Sequence, residues 1–342
     1  MSTYIQTVLG PIDAASVGRI LHHEHLLSLV PGPWLAGGQS RSSDEDMVDE
    51  AVRALSGLKD LGYDLVADLS PYDVVGRSRD GQNVTMLRDI SERSGVHIVA
   101  GSSVYLEAYS PTWTREATLD QLTKRFTSDV TRGIGDSGIR AGILGEQATG
   151  LDQITPHEDK CLRAATRAHV NTGASLVTHT THGTMALEQL AIMREEGADL
   201  SRVVIGHMDI QPDLDYLLKV LDSGVNIAFD TIGKQYWDFV LEPLPTNPPD
   251  GEFVKRAYFR SDQRRAERLV ELVDRGYVDH LMLSLDLTGA EVYLNPATHG
   301  GWGYSYLGAG FLPLAISLGL DKSHENTLVR DNPLRLLAQV TS

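Results

Sequence analysis

A (β/α)8 barrel, the TIM-barrel class, is the fold this sequence predicts, and three observations predict it. Eight short apolar or β-branched runs are spread along the chain, helical patterns fill most of the gaps between them, and no glycine-rich dinucleotide fingerprint follows the first run. Strand, helix, strand at this spacing means a parallel sheet, and eight such units favour a closed barrel over an open doubly wound sheet.

The runs are RILHHEH (19–25), YDLVADLS (63–70), HIVAGS (97–102), IRAGILGE (139–146), SLVTHT (175–180), RVVIGH (202–207), VNIAFD (225–230) and HLMLSLD (280–286). Segments such as DEDMVDEAVRALSGLKDLG before the second run and HEDKCLRAATRAHVNTG before the fifth read as helices closed by glycine. The GGWG at 300–303 does not have the form of a phosphate loop. No linker or low-complexity stretch divides the chain, so residues 1–342 are expected to form a single domain. The stretch 234–260, rich in Pro and aromatics, is expected to be a substrate-covering loop after the seventh strand.

Composition narrows the functional class. With 342 residues and 42% hydrophobic content a large core is available, and a net charge of -16 argues against nucleic acid or an anionic membrane as partner. A small-molecule substrate is the expected partner. The single cysteine, Cys161, excludes an intramolecular disulfide and a cysteine-based zinc cluster, so any metal must rest on His and carboxylates. The N-terminus lacks the basic and apolar regions of a signal peptide, and a cytoplasmic protein is expected.

In a barrel of this kind the catalytic residues collect where the strands end. Here the first run ends in His23 and His25, the fourth in Glu146, the fifth in His179, the sixth in His207 and the eighth in Asp286. His23 and His25 are two apart, so on an extended strand they share a face, with His22 and Glu24 on the other. Glu146 follows the apolar AGIL, where a buried carboxylate needs a cation, and its two oxygens could bridge two metals. Taken singly each residue has a plainer explanation: an Arg partner for Glu146, or a helix N-cap at Asp286. Capping would not explain why His179 and His207 also end strands.

Two divalent ions bridged by a carboxylate and a water would generate hydroxide at neutral pH, to attack a carbonyl or phosphoryl centre. Asp286 would be the catalytic group that takes the proton and passes it to the leaving group. Further contacts to substrate are expected, from position, at Tyr105, Lys234, Trp237 and Tyr304, with Asp209 and Trp302 nearby and His182 and His299 in loops on the same side. Lys234 would suit an anionic group on the substrate; a partner for Asp230 is the alternative.

At these residues the sequence resembles the phosphotriesterase family of the amidohydrolase superfamily, over nearly the whole chain. The similarity is carried by TVLGPIDAASVGRILHHEHL, RAGILGE, VTHT, SRVVIGHMD, FDTIGK, LSLD and the closing RDNPLRLL. The resemblance implies a binuclear centre, with His23, His25 and Asp286 on the more buried metal and His179 and His207 on the more exposed one. Zinc is the implied metal, with manganese, cobalt or iron as alternatives. Many members bridge the ions with a carboxylated lysine, but no Lys lies between Lys124 and Lys160. Glu146 takes that place, as in the phosphotriesterase homology and phosphotriesterase-related subgroup, which FDTIGK, GGWGY and THTTHGTMALEQL also match.

The implied activity is hydrolysis of an ester, lactone or amide of a small molecule, with amide hydrolysis of N-acyl amino-sulfonates as the subgroup's type. The alternatives are a phosphotriester hydrolase and a non-catalytic ligand-binding protein. Family members are often dimers, and a homodimer is the corresponding expectation.

Overall fold

In the computed structural model the described residues are 3–27, 43–74, 76–234, 239–241, 255–257, 261–287 and 303–340. A hairpin of β1 (Thr3–Thr7) and β2 (Gly10–Asp13) comes first, and β1 also pairs with a short C-terminal strand, Gln339–Val340. The sequence reading gave no element to this segment, because it is short and its burial alternates only partly. Its function in the fold is visible from Ile5, which packs with Ala14, Val17, Leu336 and Leu337 beneath the barrel interior and covers the end where the strands begin.

Eight parallel strands follow: β3 (Arg19–Glu24), β4 (Tyr63–Asp68), β5 (His97–Ser102), β6 (Ile143–Thr149), β7 (Leu176–Thr180), β8 (Val203–Ile205), β9 (Asn226–Phe229) and a last strand, Leu281–Leu283. The seam between the last strand and β3 is closed beyond the strand ends, where the His25 amide donates to the Leu287 carbonyl (3.0 Å) and the Asp286 amide to the His23 carbonyl (3.1 Å). The architecture is the (β/α)8 barrel. Strand residues alternate between an interior cluster, including Ile20, Leu65, Val99, Ile143, Val177 and Met282, and an outer cluster against the helices, including Leu21, Val66, Ile98, Leu144 and Leu176.

The helices begin where local chemistry directs. Ser43 caps Asp44–Ala54, Thr118 caps Leu119–Thr131 and Thr155 caps Pro156–Thr172, each in a reciprocal capping box that is worth about 1 kcal/mol. Gly173, at φ 71°, closes the last of these in the left-handed conformation that a side chain would resist.

Two irregularities shape the site. Between Leu21 and Glu24 the register of β3 against β4 slips by one residue, and between Leu144 and Gln147 the register of β6 against β7 does the same. Each is a bulge, which reverses the inward and outward alternation beyond it. Ile20 faces the interior and Leu21 the helices, so strict alternation would turn His23, His25 and Glu146 outward; the slips turn all three inward.

The first bulge also corrects one expectation. His22 does not share the outward face with Glu24: it lies on the inward side before the slip, fully buried, within electrostatic reach of Asp230, His23 and His207. Burial pushes its pKa down to about 4, so it sits there as a neutral ring.

The stretch 234–260 is described only in part: an antiparallel pairing joins 239–241 to 255–257. Among the described residues no helix is long and apolar enough to cross a membrane.

Candidate metal centre

The side chains that end the strands converge on one point above the interior cluster. Ligand atoms of His23, His25, Glu146 and Asp286 all lie within 4.8 Å of one another, and so do those of Glu146, His179 and His207. Glu146 belongs to both groups. Its Oε1 lies 3.3 Å from His25 Nε2, while Oε2 lies 3.0 Å from His179 Nδ1, 3.5 Å from His207 Nε2 and 3.6 Å from His23 Nε2. Glu146 itself lies within β6 rather than at its end, since the strand continues to Thr149.

The chemistry of these atoms fits divalent ions. A carboxylate can only accept, so His23 Nδ1 donates to Asp230 Oδ2 (2.7 Å) and His207 Nδ1 to Asp230 Oδ1 (2.9 Å). In the neutral rings that leaves both Nε2 atoms as the lone-pair donors. His23 Nε2 is buried without a hydrogen-bond partner, a loss of about 1–3 kcal/mol in an uncompensated site. His207 Nε2 faces His179 Nδ1 across 2.8 Å, beside the Glu146 oxygen. Cations satisfy all of these acceptors together, which protons can do only one pair at a time.

Asp230 is close enough to His23 and His207 to form a third candidate metal group. We read it instead as the carboxylate that orients two ligands, because it engages their Nδ1 atoms at hydrogen-bond distance and also accepts from the His207 amide at 2.8 Å. The sequence analysis did not assign it this part, although it ends the seventh run just as the ligands end theirs. Glu24 was missed in the same way. Its carboxylate accepts from the Ser284 hydroxyl (2.8 Å) and from the amides of Leu285 (3.0 Å) and Leu287 (2.8 Å), which flank Asp286. The residue between the two histidines thus holds the aspartate.

Charge in the pocket follows from this arrangement. Burial opposes protonation of each imidazole, yet Asp230 and Glu146 hold His23 well above its ordinary pKa. Against the same burial, Asp286 and Glu146 raise His25 to about 9, and Asp230 with Glu146 raises His207 to about 10. Burial and the neighbouring His207 lower His179. Any divalent ion held here would compete with protons for the same nitrogens.

A raised imidazole pKa stabilises the fold below the unfolded value and loses that contribution as pH rises through the folded value. Chelator-stripped protein is expected to lose thermal stability between about pH 8 and 10, and metal uptake at neutral pH to release protons. A melting temperature flat across that range, with no proton release in a weakly buffered titration, would contradict this account.

The remaining expected contacts separate. Tyr105 places its ring edge-on to His179, with centroids 4.9 Å apart. Lys234 reaches Asp286 Oδ2 at 2.7 Å and is not the partner of Asp230. Tyr304 is buried, and its hydroxyl approaches the His25 carbonyl at 3.5 Å. Asp209 Oδ2 is engaged by Thr231 and Arg265, while Oδ1 is buried without a hydrogen-bond partner. His182 follows β7 with φ 57°. Trp237, His299 and Trp302 lie outside the described residues.

Comparison with known proteins places this geometry in a lineage. The phosphotriesterase family model matches residues 3–337. The chain belongs to the phosphotriesterase family. Within this family it is 33% identical over 253 residues to the phosphotriesterase homology protein of Escherichia coli (strain K12), covering 74% of this chain and 78% of that protein. A solved Escherichia coli phosphotriesterase homology protein, complexed with phosphate in its active site, matches with a TM-score of 0.77 at 29% identity, over 94% of this chain and 99% of that one. The N-acetyltaurine hydrolase of Rattus norvegicus is 27% identical over 98% of both chains. The organophosphorus hydrolase of Deinococcus radiodurans has a TM-score of 0.82 at 28% identity, over 98% of this chain and 96% of that one. Family and neighbours are hydrolases, and this chain is a hydrolase of that family.

Proposed function

We propose that the chain is a binuclear metal-dependent hydrolase that cleaves an amide, ester or lactone bond of a small molecule, with anionic N-acyl compounds as the leading class. The observation that carries this reading is the sharing of Glu146 between two histidine groups, one completed by Asp286. His23, His25, Glu146 and Asp286 would hold one ion, and Glu146, His179 and His207 the other. Bound there, divalent ions would lower the pKa of a water toward about 7 and polarise the scissile bond. Zinc suits the imidazole-rich donor set.

The chain's own residues account for the remaining steps. Asp286 Oδ1 is turned to His25 at 3.0 Å, while Oδ2 is turned to Lys234. Although burial favours its neutral form, Lys234 and the surrounding imidazoles hold Asp286 well below the usual carboxylate range, so it stays ionised and able to accept a proton. From Oδ2 that proton can be returned to the departing amine or alcohol. His179, Asp286 and Lys234 keep 13%, 16% and 15% of their side chains exposed, whereas His23 has none, so substrate approaches from their side.

Lys234 supports the anionic preference: it is a cation at the open side of the site, and the N-acetyltaurine hydrolases among the relatives are named for an anionic amide. Lys234→Met is expected to raise KM for an N-acyl amino-sulfonate about tenfold, the worth of one hydrogen bond to a charged group, and to leave KM for a neutral aryl ester unchanged. Equal effects on both substrates would remove Lys234 from substrate recognition.

The overall test is elemental analysis of protein purified without added metal, followed by a hydrolysis screen. Two divalent ions per chain are expected, with turnover lost on chelation and restored by zinc or manganese. Turnover of paraoxon-like triesters alone would favour the phosphotriesterase alternative. Metal-replete protein that turns over no lactone, ester, amide or triester would favour the binding protein.

A further inference from the structure

Arg265 has no part in the metal centre, yet it is among the largest fully buried side chains described. It lies in the helix Asp262–Asp274, between the seventh and eighth barrel strands. Its guanidinium donates from Nε to Asp209 Oδ2 at 2.6 Å, from Nη1 to Asp262 Oδ1 at 2.9 Å and from Nη2 to Thr231 Oγ1 at 3.0 Å. The Thr231 hydroxyl in turn donates to Asp209 Oδ2 at 2.5 Å. Asp262 extends the network, with Oδ1 accepting from the Gly233 amide at 3.1 Å and Oδ2 from the Tyr306 hydroxyl at 2.8 Å.

The places these groups occupy in the chain give the network its meaning. Asp209 lies two residues past His207, Thr231 follows Asp230, Gly233 precedes Lys234, and Tyr306 lies beyond the eighth strand. One planar cation therefore ties together the loops after the sixth and seventh barrel strands, and through Asp262 it is joined to Tyr306 beyond the eighth. Two carboxylates buried with a single guanidinium form a costly arrangement, and removing one partner of such a pair typically loses several kcal/mol. A core that needed only bulk here would be served by leucine.

We propose that Arg265 is a positioning residue for this hydrolase, which sets the Thr231–Lys234 segment so that the Lys234 ammonium stands at Asp286 and at the open side of the site. The inference extends the reading of Lys234 as the group that recognises the substrate's anion. The guanidinium's fixed fork is what the role requires, because it holds two carboxylates and a hydroxyl at set angles, which a lysine ammonium cannot reproduce. Arg265 touches neither the reacting bond nor a metal ligand in this arrangement; it acts through Lys234.

The test uses the metal-loaded protein and two variants. Thr231→Val removes the shared hydroxyl without removing charge, and Arg265→Lys keeps the charge without the fork. Amide hydrogen exchange over residues 231–234, read by mass spectrometry, is expected to quicken about tenfold in both while metal content and exchange in the barrel strands hold. With an N-acyl amino-sulfonate, KM is expected to rise while kcat stays within about threefold. In combination with Lys234→Met, Thr231→Val should add no further loss, because both act on the same contact.

Unchanged exchange at 231–234 in both variants would overturn the proposal, and so would exchange that rises equally throughout the barrel, which would make Arg265 a general support. If Arg265→Lys does not fold, Thr231→Val still decides the matter. If exchange responds as expected but Lys234→Met leaves KM untouched, the positioning stands and the anion-binding reading of Lys234 falls.

Discussion

Glu146→Gln is expected to abolish hydrolysis and to lower occupancy of both metal sites together. The carboxylate places one oxygen by His25 and the other by His179, His207 and His23, so its charge is common to both ligand groups. Glutamine has the same shape but offers one neutral oxygen and an NH2 that points donors at lone pairs. Loss of the shared anion from a desolvated pocket is expected to lower kcat/KM by at least about a thousandfold. It should also bring zinc content per chain down from two to well below one. Retention of two ions and of activity would remove Glu146 from the bridging position. The two ions should be lost together, which separates this reading from one in which Glu146 merely pairs with His179.

Asp230→Asn is expected to weaken metal binding about 10–100-fold although Asp230 need not touch a metal. Asp230 fixes the tautomers of His23 and His207 by accepting from both Nδ1 atoms, at 2.7 and 2.9 Å, which leaves both Nε2 atoms free to ligate. An asparagine can accept on only one side. On the other its NH2 would meet an Nδ1–H donor, and the imidazole would move its proton to Nε2, where it cannot bind metal. A zinc titration reads the loss directly, and excess zinc should recover part of the activity of this variant, because its first ligands remain. Unaltered affinity would mean that packing alone holds the two rings.

Much of this was legible in the sequence for reasons that can be named. The run HLMLSLD ends in a charge after mostly apolar positions, VVIGH ends in histidine and VTHT carries one next to its end; in a parallel barrel such endings lie at one rim. Caps such as Thr155 with Glu158 made helix starts readable, because the pattern of hydroxyl and acid is local. Interactions between distant positions were not readable. Asp230 appears as one more acid until β9 is placed beside β8, and only then does it lie between His23 and His207. Arg265 looks like a surface residue in DQRRAERLVELVD, one arginine among several, until Asp209 and Thr231 are brought to it across the fold.

The two bulges carry a consequence for how this protein tolerates change. Because the slips at Leu21–Glu24 and Leu144–Gln147 turn His23, His25 and Glu146 inward, these ligands stand out of frame with the apolar residues that precede them. Many substitutions in these strands would leave that frame intact. Deleting the extra residue from either slip would remove the bulge and leave the flanking side chains on their present faces, so a regular strand one residue shorter should still present His23 and His25, or Glu146, to the lumen. The candidate metal centre is thus a matter of phase as much as of composition: three of its six candidate ligands face the lumen because the strand before them absorbs one extra residue.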